Sequence, residues 1–314
     1  MSEAVKITIL MPSLNVKTYI RECMDSVVGQ SMKELEILCI DAGSTDGTWE
    51  ILQEYADRDS RIRLLRSDRR SYGFQINMGL KAAKGEYIGI VETDDYIDPD
   101  MYRKLYRNAE QTGKPDIVKA AFWHILSEEE GGIVPEYAIT AGTGEVFPLT
   151  AHEQLLSGHP SIWSCIYKKS FLDQKNIRMK ECPGGAWVDN PFLYRTMCEA
   201  ERICWVNEPL YYYRETNPDA SSRLKDCSIP FDRINEMKDY LEENYPGNLR
   251  MEKHLFYRTA LYIKQNRNNP NLTRENKKQI LNTVRRFKAR TILRVFAGYQ
   301  YKTIKKLLKR QGKP

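Results

Sequence analysis

Tyr87-Ile88-Gly89-Ile90-Val91-Glu92-Thr93-Asp94-Asp95 is an apolar run that breaks abruptly into acid. The first five residues read as a buried strand. Three carboxylates within the next four positions cannot be buried unpaired, so the strand must end there with its acidic residues at an accessible edge.

The same pattern recurs upstream. Ile7 to Met11 reads as a strand that stops at Pro12, Leu35 to Ile40 as a second ending at Asp41, and Ile62 to Leu65 as a third. Helical spacing fills the gaps. Tyr19, Ile20, Cys23, Val27 and Val28 lie on one face, with Gly29 at the end. Thr48 opens a helix carrying Trp49, Ile51, Leu52 and Tyr55, and a third carries Ile76, Leu80 and Ala83 before Gly85. Strands alternating with helices predict βαβ units, hence an α/β fold with a mostly parallel sheet. Right-handed crossovers bring the strand C-termini to one edge, where ligands of such sheets bind. Ser13 and Asn15, Asp41 to Asp46, and Glu92 to Asp95 all fall there. These clusters point to a nucleotide and a cation. No GxGxxG follows the first strand and no GxxxxGK[ST] occurs, which argues against dinucleotide-dependent dehydrogenases and P-loop NTPases.

The 314 residues are 41% hydrophobic and 29% charged, enough to bury a core without covalent staples. Seven scattered cysteines without C-x-x-C spacing read as reduced thiols of a cytosolic protein. No run approaches the roughly 18 apolar residues of a membrane span, and the N-terminus lacks a signal-peptide pattern. The net charge of +6 is unevenly spread: from Arg250 to Pro314, 19 Lys and Arg stand against 2 Asp and Glu, leaving 29 against 40 in residues 1–249. An acidic body suits a metal or polar substrate, and a basic tail suits an anionic surface.

Taken together, Ile9-Leu10-Met11-Pro12-Ser13-Leu14-Asn15, Ile40-Asp41-Ala42-Gly43-Ser44-Thr45-Asp46-Gly47-Thr48, Gly85-Glu86-Tyr87-Ile88 and Glu92-Thr93-Asp94-Asp95 resemble the inverting family 2 glycosyltransferases of the GT-A fold, of the bacterial cell-surface polysaccharide type. The resemblance spans roughly residues 5 to 225. It implies transfer of a sugar from a nucleotide-diphosphate sugar, UDP-linked by default, to an acceptor hydroxyl with inversion. It implies Mn²⁺ or Mg²⁺ at Asp94 and Glu92, with Asp95 either a further metal-site residue or the start of the next helix. Hard cations take such oxygen ligands.

The resemblance also places Ser13, Asn15, Asp41 and Asn77 at the donor. Ser44, Thr45 and Asp46 read as turn and helix-cap residues. Several positions depart from the family pattern. Ala42 stands where many relatives have the Asp that contacts uracil, Leu14 replaces a common aromatic, and Ile76 replaces an Arg, for which Arg69 or Arg70 could substitute.

In the acceptor half, Ile117 to His124 reads as a strand, and Ser127 to Glu145 as a loop or hairpin. Trp163 is either a platform for a sugar face or core. Asp189, in Trp187-Val188-Asp189-Asn190, aligns with the general base of the family, its alternative being a helix N-cap. Arg214, followed by Ser221-Ser222, either approaches the diphosphate or forms a structural ion pair.

These readings predict a catalytic domain over 1–225 and a basic α-helical extension over 226–314. The tail stripe, Ile292, Val295, Phe296, Tyr299, Ile304, Leu307 and Leu308 among Lys and Arg, is that of a helix at an anionic membrane surface; helix packing on the body or a dimer contact are the alternatives. No nucleic-acid recognition motif accompanies the charge. The expected protein is a cytoplasmic, peripheral inner-membrane glycosyltransferase acting on a growing surface glycan or lipid-linked saccharide. The alternative is a catalytically impaired sugar-nucleotide-binding protein on the same fold.

Overall fold

The computed structural model describes residues 4–127, 129, 131–218, 226–266 and 269–296. The chain divides into two compact units, residues 1–152 with 159–223, and residues 153–158 with 224–314.

The first unit is α/β. Its opening half alternates β1 (Ile7–Ser13), α1 (Ile20–Val28), β2 (Leu35–Asp41), α2 (Thr48–Ala56), β3 (Ile62–Arg66), α3 (Tyr72–Ala82) and β4 (Tyr87–Ile90). There follow β5 (Tyr96–Ile97), α4 (Met101–Gln111), β6 (Ile117–Ile125), β7 (Ile133–Glu136), β8 (Glu145–Phe147), β9 (Cys165–Lys168), α5 (Lys169–Gln174), α6 (Asp189–Glu199) and β10 (Ile203–Arg214). The spatial order is β3-β2-β1-β4-β9-β6-β10-β5, with β7 on β6 and β8 on β10. β1 to β4 pair in parallel. β9 runs antiparallel between β4 and β6, and β10 runs parallel to β6. The C-termini of β1, β2, β4 and β10 therefore share one edge.

β1 does not stop at Pro12. Its ladder with β4 ends at Leu10, while pairing with β2 continues to Ser13. The ring nitrogen, which cannot donate, thus falls where β4 has already departed. The central strands β1, β2 and β4 are buried along their whole length, as expected for parallel strands covered on both faces.

The second unit is helical: α7 (Ile229–Asn244), α8 (Leu249–Asn266), α9 (Arg274–Arg285) and a further helical stretch over 289–296. Thr273 caps α9 by accepting from the Asn276 N–H. Phe231, Ile234, Met237 and Leu241 form the buried stripe of α7. Residues 153–158, assigned by sequence to the first domain, pack with these helices instead. The buried Arg258 guanidinium needs acceptors, and finds them in the carbonyls of Leu156 (3.0 Å) and Gly158 (2.7 Å). The tail residues Tyr299, Ile304, Leu307 and Leu308, and Ser221-Ser222, lie outside the described residues.

Candidate active site

The acidic loop after β4 alternates in burial. Thr93 and Asp95 are buried, whereas Glu92 and Asp94 are half-buried, in a tight turn closed by the Asp95 N–H donating to the Glu92 carbonyl (3.1 Å). The buried pair anchors the loop. The Thr93 hydroxyl donates to the Pro12 carbonyl (2.9 Å). The Asp95 carboxylate accepts from the Tyr211 hydroxyl (2.8 Å) and the Arg214 backbone N–H (2.7 Å). Burial, then the charge of Asp94, pushes the Asp95 pKa well above the usual range; the two bonds oppose that shift. Asp95 is therefore a loop anchor turned into the core, which corrects its assignment to the metal.

The outward pair is differently placed. Glu92 lies beside the Tyr72 hydroxyl of α3. Burial pushes its pKa up to about 8; the Tyr72 bond acts against this, and the charges of Asp94 and Asp189 reinforce it. Asp94 accepts from Asn217 Nδ2 (2.8 Å). Asp189 is half-buried at the first position of α6, where the helix dipole favours a carboxylate. Its charge reaches Glu92, Tyr72 and Tyr213. Glu92, Asp94 and Asp189 thus converge from two elements distant in sequence.

The ends of β1 and β2 form the other wall. Asp41 is buried and accepts from the N–H groups of Gly43 and Ser44 (both 2.9 Å) and from the hydroxyls of Ser44 (2.5 Å) and Ser13 (3.3 Å). Asn15, held at φ 53°, accepts at Oδ1 from Thr45 N–H and donates its own N–H to Ser44 Oγ (both 2.9 Å). Asp46 accepts from Thr48 and from the Lys17 N–H. Gln75 ties the two strand ends by donating to the carbonyls of Ser13 (3.0 Å) and Ile40 (2.5 Å). Ser13, Asn15 and Asp41 therefore shape one rigid corner, with Ala42 buried behind it.

One assignment made from sequence changes, that of Asn77, and two open ones, Arg214 and Trp163, are resolved in favour of the structural alternative. Asn77 does not face this corner: its amide accepts from the Met179 N–H and donates to the Met179 carbonyl (both 2.9 Å) and to Glu181 (3.0 Å). Arg214 is buried. Its Nε donates to the Asp94 carbonyl (3.0 Å) and its Nη2 pairs with Glu22 (2.6 Å). It braces the acidic loop from behind, as an ion-paired structural residue, rather than reaching outward to a diphosphate. Trp163 is 4% exposed and stacks on Tyr211 (4.1 Å) and Tyr213 (5.1 Å); it is core, so it offers no open face to a sugar. Arg69 is paired with Glu181 and lies over the Phe74 ring, while Arg70 is exposed.

Tyr72, Gln75, Tyr211 and Asn217 went unread as site residues. The hydroxyl partners of the Tyr211-Tyr212-Tyr213 run leave no signal in the sequence.

Among the described residues, no group of three or more His, Cys, Asp or Glu is placed to hold a metal ion by itself. Glu92 and Asp94 nonetheless fit a hard cation. Both offer oxygen, and burial, with the charges of Asp94 and Asp189, makes ionising Glu92 costly, a cost that a bound cation would offset. Magnesium-type sites are commonly completed by substrate phosphates.

Comparison with known proteins agrees with this architecture. The family model described as glycosyl transferase family 2 matches residues 8–162. The uncharacterized glycosyltransferase EpsJ of Bacillus subtilis is 31% identical over 253 residues, covering 79% of this chain and 70% of its own. The chain belongs to glycosyl transferase family 2. The glycosyltransferase GlyG of Streptococcus pneumoniae is 27% identical, over 66% of this chain and 70% of its own. Among solved structures, residues 1–349 of S. aureus TarS, in complex with UDP-GlcNAc, superpose with a TM-score of 0.75 at 18% identity. That match covers 91% of this chain and 82% of TarS 1–349. The fold is GT-A. The family membership accounts for polar loops gathered at one sheet edge, and no helix among the described residues is long and apolar enough to cross a membrane.

Proposed function

We propose that this glycosyltransferase moves a sugar from a nucleoside-diphosphate sugar to an acceptor hydroxyl with inversion at the anomeric carbon. The convergence of Glu92, Asp94 and Asp189 at one sheet edge carries this reading. The corner of Ser13, Asn15 and Asp41 receives the nucleoside. A UDP-sugar is the first donor to test, because the TarS structure of the same fold holds UDP-GlcNAc.

Asp94 and Glu92 would hold Mn²⁺ or Mg²⁺. Such an ion, when bound, offsets charge that builds on the departing diphosphate. Asp189 acts as general base. It takes the proton of the acceptor hydroxyl as that oxygen bonds to the anomeric carbon and the bond from that carbon to the diphosphate oxygen breaks. A positioned base contributes on the order of 10²–10⁴-fold. Tyr72 holds the Glu92 carboxylate in place, and Arg214 and Tyr211 keep the loop backbone rigid.

Asp189→Asn is the test. It keeps the side chain's shape and removes its basicity. Nucleoside-diphosphate release should fall at least about 100-fold with donor affinity unchanged; unchanged turnover would remove Asp189 from this role.

The acceptor is a surface glycan or lipid-linked saccharide, met at an anionic membrane. In the stretch over 289–296, Thr291 and Val295 are buried while Arg290, Leu293, Arg294 and Phe296 are exposed. Exposed apolar residues interleaved with arginine suit an anionic lipid surface. Co-sedimentation of the full chain with phosphatidylglycerol but not phosphatidylcholine vesicles, lost in Leu293→Ser/Phe296→Ser, is expected. Equal binding to both vesicle types would contradict it.

A further inference from the structure

The segment that leads into α6 is strapped across the start of α3. Asn77 pairs with both backbone groups of Met179, as a neighbouring strand would. Further along, the Gly184 N–H donates to the Arg70 carbonyl (2.9 Å) and the Tyr72 N–H donates to the Gly184 carbonyl (2.8 Å). Arg69 and Asn77 both reach Glu181.

The contact is close enough to exclude side chains. A Cβ on Gly73 would lie 1.9 Å from the Lys180 carbonyl oxygen, and one on Gly185 would lie 2.6 Å from the Tyr72 Cβ. The strap then turns through Trp187, a non-glycine residue at φ 64°. That left-handed conformation costs energy and persists only where the surroundings enforce it. Two residues later comes Asp189, the first residue of α6.

Tyr72 has a double engagement. Its backbone holds the strap, and its hydroxyl holds Glu92 in the acidic loop. One turn of α3 therefore holds both Glu92 and the segment leading to Asp189, two carboxylates far apart in sequence.

We propose that Asn77 is a positioning residue for the general base: by clamping Met179 it sets the path of residues 179–188 and so places Asp189 relative to Glu92 and Asp94. This rests on the role of Asp189 proposed above. It assigns Asn77 a function in the reaction that is distinct from donor binding. Placement matters steeply here, since a displacement of about 1 Å at a reacting group can cost on the order of 10²-fold in rate.

The experiment compares wild type, Asn77→Ala, Asn77→Asp and Asp189→Asn. Each is checked for folding by its thermal transition. Donor dissociation constants come from calorimetry. Turnover is followed as nucleoside-diphosphate release, using UDP-GlcNAc or whichever of the UDP-, GDP-, CDP- and dTDP-sugars the wild type turns over.

A positioning role predicts that Asn77→Ala lowers kcat about 10- to 100-fold while the donor dissociation constant stays within about twofold. Asn77→Asp keeps the acceptor for the Met179 N–H and should fall between Ala and wild type. Gly73→Ala, whose Cβ would push the strap away from α3 at Lys180, should reproduce the kcat loss.

A raised donor dissociation constant with unchanged kcat would make Asn77 a donor ligand and overturn the proposal. Wild-type kcat in Asn77→Ala, with Asp189→Asn inactive, would also overturn it while leaving the general base in place. If Asp189→Asn turns over like wild type, the role of Asp189 fails first, and the positioning role falls with it.

Discussion

The Tyr211 hydroxyl donates to the Asp95 carboxylate at 2.8 Å and accepts from the Glu92 N–H at 3.1 Å. One buried oxygen on β10 thereby holds both ends of the acidic loop. Tyr211→Phe leaves a buried carboxylate oxygen and a backbone N–H without this partner. Such losses cost about 1–3 kcal/mol each. Denaturant unfolding should show a loss of about 2–6 kcal/mol for the two together, and metal-dependent donor binding should weaken. Wild-type values for both would mean that the loop needs no such brace.

Trp163 separates core from acceptor contact. Because it is core, Trp163→Ala should lower stability by about 3–5 kcal/mol, the usual cost of emptying a buried aromatic site. Unfolding by urea measures this. An unchanged midpoint together with a raised acceptor KM would restore the ring to the acceptor site.

His124 makes a pH prediction. Burial alone would lower its pKa. The carboxylates of Glu136 and Glu215, one on each ring nitrogen, override burial and raise it from 6.5 to about 9. Because the folded value lies above the unfolded one, the stabilisation is fully present below pH 6.5 and is lost as pH rises through about 9. His124→Gln should therefore cost on the order of 2 kcal/mol at pH 6 and much less above pH 9. Equal costs at both pH values would show that the ring acts by packing alone.

His254 in the helical unit has the opposite sign. Burial, with the charge of Lys253, lowers its pKa to about 4. Its contribution is present above pH 6.5 and fades as pH falls toward 4. His254→Gln should resist unfolding at pH 4.5 better, relative to wild type, than at pH 7. A constant difference across that range would contradict the assignment.

How much could be read beforehand follows from what sequence spacing encodes. The runs of β1, β2 and β4 are apolar throughout, so fully buried parallel strands and their shared edge were legible. The four-residue β9 was not, because its antiparallel place between β4 and β6 depends on partners far away in the chain. At the site, spacing located the right loops but not the direction of each side chain. Asp94 and Asp95 are neighbours, yet the turn over 92–95 points one outward and the other to Tyr211. Asn77 meets Met179 across 102 positions, and Arg214 meets Asp94 across 120. Neither pairing leaves a local trace, so Asn77 was read as facing a ligand and Arg214 was left between a ligand and an ion pair, when both hold backbone. Trp163 was ambiguous for the same reason: an aromatic ring suits a sugar face and a core equally.

The most direct measurement is calorimetric titration of wild type and Asp94→Ala with UDP-, GDP-, CDP- and dTDP-sugars, each with and without Mn²⁺. A metal-assisted glycosyltransferase of the kind proposed binds one nucleotide class in a metal-dependent manner, and Asp94→Ala abolishes that dependence. Folded wild type that binds none of them, or Asp94→Ala that binds as wild type does, would contradict it.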